Sequence, residues 1–105
     1  MRSILAAAAC GLLVVSSAGL AAGDADAGRA KSEACLGCHG IPSYNNTYPT
    51  YHVPKLSGQH ADYIVAALKA YREGQRTHAT MNAQAVAMSE QDMADIAAFW
   101  QGLGK

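Results

Sequence analysis

Apolar residues recur at helical spacing in three stretches of this chain. Tyr63, Ile64, Ala67, Leu68 and Tyr71 share one helical face and predict a helix from about Gln59 to Glu73, with Gly74 placed as its stop. Ser89, with Asp92 three residues on, reads as a capping box that opens a second helix through Met93, Ile96, Ala97, Phe99 and Trp100 to Gly102. Upstream, Asp24 is a good N-cap for a helix that passes Ala25, Gly28, Lys31 and Ala34 and runs into Cys35. Gly28 costs that helix about 1 kcal/mol against alanine, a loss that close approach of another helix would recover. No segment alternates apolar and polar residues as a strand does. The pattern predicts an all-α fold of three main helices joined by two long irregular connections.

The first 22 residues are built differently. Arg2 precedes an apolar run from Ile4 to Val15 and a small-residue zone from Ser16 to Ala22, the pattern of a cleavable export signal cut near Ala21 or Ala22. The apolar run is short of the ~20 residues a membrane span needs, so a retained anchor is the lesser alternative. Cys10 lies inside that run and leaves with it; the preceding Ala7-Ala8-Ala9 makes a poor lipidation box. The expected organisation is a signal over residues 1–22 and one domain over residues 23–105. In a bacterium that destination is the periplasm. So small a domain buries little apolar surface and usually needs a staple.

The staple is legible at Cys35-Leu36-Gly37-Cys38-His39. Two thiols three positions apart suit addition across the two vinyl groups of a haem, and the histidine that follows reaches the iron as its proximal ligand. Zinc is disfavoured because a closed site needs four ligands, and beyond this cluster only His52, His60 and His78 remain. A disulfide-exchange pair is disfavoured because the run from Asp24 to Ala34 has no β-branched residue and makes no strand. Cleavage would leave two cysteines, both inside the motif, and take the net charge from zero to minus one with the loss of Arg2. Nothing basic enough for nucleic acid is present.

The sixth position on the iron separates a carrier from a catalyst. The candidates are Met81, Met88, Met93, His52, His60 and His78. Met93 falls on the apolar stripe of the last helix and Met88 just before its cap, so both read as packing residues of a hydrophobic staple. Met81 lies in a stretch, Thr77 to Asn82, read as irregular, and is favoured as distal ligand; His78 in the same stretch is the runner-up.

The ordered motifs resemble class I cytochromes c. They are Cys35 to His39; Val53-Pro54-Lys55-Leu56-Ser57-Gly58-Gln59-His60; Tyr71-Arg72-Glu73-Gly74-Gln75-Arg76; Met81; and Met88 to Phe99. Within that class they are similar to one half of a dihaem cytochrome of the c4 type or to a monohaem cytochrome of the c5/c553 group. The resemblance implies three main helices and long loops wrapped around one covalent haem c, with Cys35 and Cys38 as thioether anchors, His39 as proximal and Met81 as distal ligand. It further implies that the Pro54 carbonyl accepts the ring N–H of His39, that Leu56 packs on the haem face, and that Gly28 meets the Phe99/Trp100 pair where the first and last helices cross. Gln59, Arg72 and Arg76 are candidates for the propionates, with an exposed charge on a helix end as the plain alternative.

Two features depart from those relatives. There is one CxxCH where a dihaem relative has two, and the stretch from Ile41 to His52, with Tyr44, Tyr48 and Tyr51, looks longer than its counterpart. Those tyrosines either form a docking surface or fold over the haem edge. The expected function is a periplasmic, non-enzymatic electron carrier between respiratory redox proteins such as a membrane oxidoreductase or a terminal oxidase, docking transiently and with no membrane span after cleavage. A weak homodimer through an apolar patch near the haem edge is a further partner expectation. The alternatives are an electron-entry subunit of a larger periplasmic oxidoreductase and, behind it, an open distal site serving a peroxidase or gas sensor.

Overall fold

The computed structural model describes Gly11 and residues 22–104. Apart from Gly11 and Ala22, the segment read as an export signal, Cys10 included, lies outside the described residues. Helix α1 (Ala25–Lys31) and helix α2 (Glu33–His39) follow one another, then a hairpin of β1 (Asn45–Thr47) and β2 (Thr50–His52), then α3 (Ala61–Glu73), α4 (Ala79–Ala85) and α5 (Glu90–Gly102).

Each boundary has a local cause. The Asp24 carboxylate accepts from the backbone N–H groups of Asp26 and Ala27 and starts α1. Helix α3 stops where Gly74 takes a left-handed φ of 78°, which costs glycine nothing. At its other end the free Ala61 N–H donates to the Gln101 side chain at 2.6 Å, satisfying one of the orphan donors of a helix start. Helix α5 opens with both halves of the capping box, Ser89 to Asp92 and back.

Three expectations about the elements are corrected. The first helix is broken at Ser32, whose ψ of 8° ends α1 and which directly precedes α2. The stretch read as devoid of strands contains a short antiparallel ladder that pairs Asn45 with His52, Asn46 with Tyr51 and Thr47 with Thr50. Its side chains are polar on both faces apart from Tyr51, so no alternation marks it. The stretch around Met81 is helical: α4 has only seven residues and buries only Ala85 fully, so it carries no apolar stripe to read.

The core lies between α3 and α5. Ile64 and Leu68 of α3 face Met93, Ile96, Ala97 and Trp100 of α5, with Met88 packed at the edge and Met93 fully enclosed. Helix α1 crosses α5 on its other side. Gly28 sits against the backbone of Asp95, where any Cβ would collide with the Asp95 carbonyl. The close approach therefore falls on Asp95, one turn before the expected Phe99/Trp100 pair.

Asp95 is also the hub of this crossing. Its carboxylate accepts from the Asp24 backbone N–H at 2.9 Å, the Lys31 ammonium at 2.7 Å and the Gln91 amide at 2.9 Å, while Lys31 also pairs with Asp92 at 2.9 Å. These donors, the Asp24 N–H first, hold the Asp95 carboxyl down to about 2. The usual value in an unfolded chain is ~3.9. Stability from this network is therefore complete above about pH 4 and lost as pH falls through about 2. Asp95→Asn is expected to melt below the parent at pH 5, with the gap closing as the pH approaches 2 in a series of thermal melts. A gap that stays constant over that range would assign the effect to something other than the Asp95 charge.

Candidate haem site

Helix α2 sets the geometry of the thiols. Positions i and i+3 lie on one face of a helix, so Cys35 and Cys38 both turn toward a hollow enclosed by the hairpin, the 53–59 segment, α3 and α4. Both side chains are half-buried and unpaired, and burial pushes the Cys35 thiol up from its ordinary value. His39 is the last residue of α2. Its Nδ1 donates to the Pro54 carbonyl at 2.7 Å. A carbonyl only accepts, so Nδ1 carries the proton and Nε2 keeps its lone pair. The Trp100 ring lies edge-on to the imidazole, 6.3 Å between centroids, and adds a second constraint on its plane.

The hollow has a main cavity of about 310 Å³ and an adjoining one of about 80 Å³. Cys38, His39, Leu56, Ile64, Leu68, Thr80 and Met81 line both. Met81 is half-buried and sits in the first turn of α4. Of the other candidates for the sixth position, His52 and His78 line the main cavity and Met88 the smaller one; Met93 and His60 line neither. Gln59 and Arg76 lie on the main cavity wall with Lys55. Arg76 reaches the Tyr63 hydroxyl at 3.5 Å and stacks over Tyr71, 5.0 Å from the ring centroid. Arg72 turns away: it donates to the Met88 carbonyl at 3.3 Å and pairs with Glu73 and Glu90.

These residues fit a haem c. Two thiols one turn apart stand beside the imidazole, apolar walls from Val53, Leu56, Ile64 and Leu68 suit the macrocycle, and cationic Lys55 and Arg76 suit its two carboxylates. The sequence did not reveal how Tyr51, His78 and Thr80 meet at the cavity. Tyr51 stands edge-on to His78 at 4.6 Å and its hydroxyl lies 3.2 Å from Thr80 Oγ1. The signal available was the tyrosine-rich stretch itself, without its partner.

Comparison with known proteins bears on the same site. Residues 25–104 match the family model described as Cytochrome c. The chain is 44% identical over 82 residues to cytochrome c-554(548) of Halomonas halodenitrificans, covering 75% of this chain and 95% of that one. It is 40% identical over 91 residues to cytochrome c4 of Pseudomonas aeruginosa, covering 85% of this chain and 44% of that one. The solved cytochrome c4 of Acidithiobacillus ferrooxidans superposes with a TM-score of 0.64 at 29% identity, over 83% of this chain and 54% of that one. Reduced cytochrome c4 of Pseudomonas stutzeri gives 0.58 at 25% identity, over 82% of this chain and 53% of that one. The chain thus spans about half the length of the c4 proteins it matches. With a CxxCH helix against an apolar hollow and a match over nearly the whole described domain, the chain belongs to the cytochrome c family, as a class I electron-transfer protein with one covalently bound haem c.

Proposed function

We propose that the protein is an exported electron carrier, freed of residues 1–22, that works in the periplasm with His39 and Met81 as the two axial ligands of its haem. The observation that carries the reading is the hydrogen bond from His39 Nδ1 to Pro54, which leaves Nε2 as a donor atom in the same hollow that Met81 lines. The haem, when bound, supplies a one-electron change between ferric and ferrous iron.

The chain's residues set how that change occurs. Cys35 and Cys38 fix the ring covalently, so no exchange with free haem competes with electron transfer. Pro54 holds the imidazole plane of His39 and raises its basicity. The Met81 thioether is neutral and favours the ferrous state, and the apolar walls formed by Leu56, Ile64 and Leu68 disfavour the extra charge of the ferric one. Lys55, Gln59 and Arg76, on the cavity wall, would hold the carboxylates. With His39 and Met81 both bound to the iron, no position would be open to a substrate, and the protein would pass electrons rather than turn over a small molecule. Among the described residues no helix is long and apolar enough to cross a membrane. Redox partners such as a membrane oxidoreductase or a terminal oxidase dock transiently through a small interface.

The oxidised, haem-matured protein is expected to show the weak near-infrared sulfur-to-iron charge-transfer band, and Met81→Ala to lose it and lower the reduction potential. A parent protein that lacks the band and takes up cyanide at once would instead have an open distal face.

A further inference from the structure

Tyr51 is the half-buried residue of β2: Thr50 and His52 on either side are exposed, although His52 also touches the main cavity that Tyr51 lines. It is the hairpin's side-chain link to the helix that carries Met81. The ring packs edge-on against His78, the N-cap of α4, at 4.6 Å and 89°, and the hydroxyl lies 3.2 Å from Thr80 Oγ1, next to Met81 in sequence.

The hairpin is a firm base for such a link. Asn46 donates to the Pro49 carbonyl at 2.6 Å, Thr50 to the Thr47 carbonyl at 2.8 Å, and His52 Nδ1 meets Asn45 Oδ1 at 3.0 Å. The Val53 N–H donates to the Tyr44 carbonyl at 3.0 Å, and Val53 itself is buried. One residue further on, Pro54 holds His39. The stretch Tyr51-His52-Val53-Pro54 therefore touches the proximal histidine at one end and the Met81 helix at the other.

Helix α4 is otherwise held by its packing on α3, where Met81 itself touches the core cluster, and by one polar tie. Asn82 ties it to the end of α3, donating to the Tyr71 and Arg76 carbonyls and accepting from the His78 N–H. His78 makes no side-chain cap bond, and its buried Nδ1 has no partner among the described residues. Asn82 attaches α4 to the chain at and just after the end of α3, whereas the hairpin's hold on the first turn runs through Tyr51.

We infer that Tyr51 is a positioning residue for the distal ligand, clamping the first turn of α4 so that Met81 stays on the iron. The inference rests on Met81 being that ligand. Loss of a hydroxyl bond raises the Met81-off population by roughly fivefold, and loss of the aromatic contact as well raises it by more than tenfold. An added ligand binds more tightly by the same factor, because it takes the population in which the iron is open.

The test is an imidazole titration of oxidised holoprotein, followed by loss of the near-infrared band. Tyr51→Phe is expected to lower the imidazole Kd about fivefold and Tyr51→Ala more than tenfold. Tyr48→Phe, which removes a hydroxyl from the hairpin-tip tyrosine that is 94% exposed, leaves it unchanged. If the band is present and Met81-dependent but both Tyr51 variants bind imidazole as the parent does, the clamp is disproved while the axial assignment stands. If the parent shows no such band, the axial assignment fails and the clamp fails with it. Tyr51→Phe alone decides the question should Tyr51→Ala not fold.

Discussion

Replacing Cys35 and Cys38 together with serine is expected to give a chain from which acidified butanone extracts all the haem and which shows no cooperative thermal unfolding at 25 °C or above. The reason is volumetric. The buried core amounts to a handful of side chains on α3 and α5, and the hollow beside it, about 310 Å³ with apolar walls, is as much part of the interior as they are. A void of that size costs on the order of 7 kcal/mol at ~24 cal/mol per Å³, an upper figure because water can enter an open hollow. Whole domains are stable by only about 5–15 kcal/mol, so losing the haem proposed to fill the hollow would remove most of the margin. Under the proposed ligation, His39 alone would retain some haem weakly, and without the thioethers that haem would dissociate on denaturation. Far-ultraviolet circular dichroism with a haem extraction decides it: a sharp melt near the parent's, with haem extractable, would mean the polypeptide core suffices alone.

Gly28→Ala is expected to lower the melting temperature by roughly 10 °C, although alanine is the better helix former. Two effects oppose each other. Alanine gains about 1 kcal/mol of helix propensity. Its methyl group has no room, because the Asp95 carbonyl occupies the place where a Cβ would stand, and forcing extra volume into a packed contact costs about 1–3 kcal/mol or more. The obstacle is backbone, which cannot rotate aside, so the helices must part. Parting them also stretches the Asp95 bonds to Asp24 and Lys31, and the net loss comes to about 2 kcal/mol. A melting point within two degrees or so of the parent's would show that α1 shifts freely over α5.

What was legible in the sequence follows a physical rule: features encoded within a few residues were readable, and features that depend on a distant partner were not. Ser89 and Asp92 name the start of α5 because both halves of the capping box lie within one turn. Gly74 names the end of α3 for the same reason. The Cys35 to His39 motif places two thiols and an imidazole without help from elsewhere. Helix α4 escaped notice because seven residues with one fully buried side chain show no period, and because its hold on the fold runs through Asn82 to carbonyls of α3. The hairpin leaves no mark because Asn45, Asn46, Thr47 and Thr50 are polar, and because Tyr51 finds its partners only in His78 and Thr80, far along the chain. The helix break at Ser32 is likewise invisible locally; serine is common in helices, and this one differs in being fully buried in the folded chain.

The bond from the Asp24 N–H to Asp95 joins residues 71 positions apart and so bears on the order in which the molecule can be assembled. A chain delivered N-terminus first presents α1 and the cysteine helix long before α5 exists to receive them. Contacts of such separation close late, because the loop entropy must be met before any local reward arrives. Until then α1 has no partner for Gly28 or Lys31, and the Cys35 and Cys38 thiols stand on an unsheltered segment, open to whatever machinery joins them to haem. Arrival of the C-terminal helix closes that interval and leaves the two thiols half-buried in a finished domain.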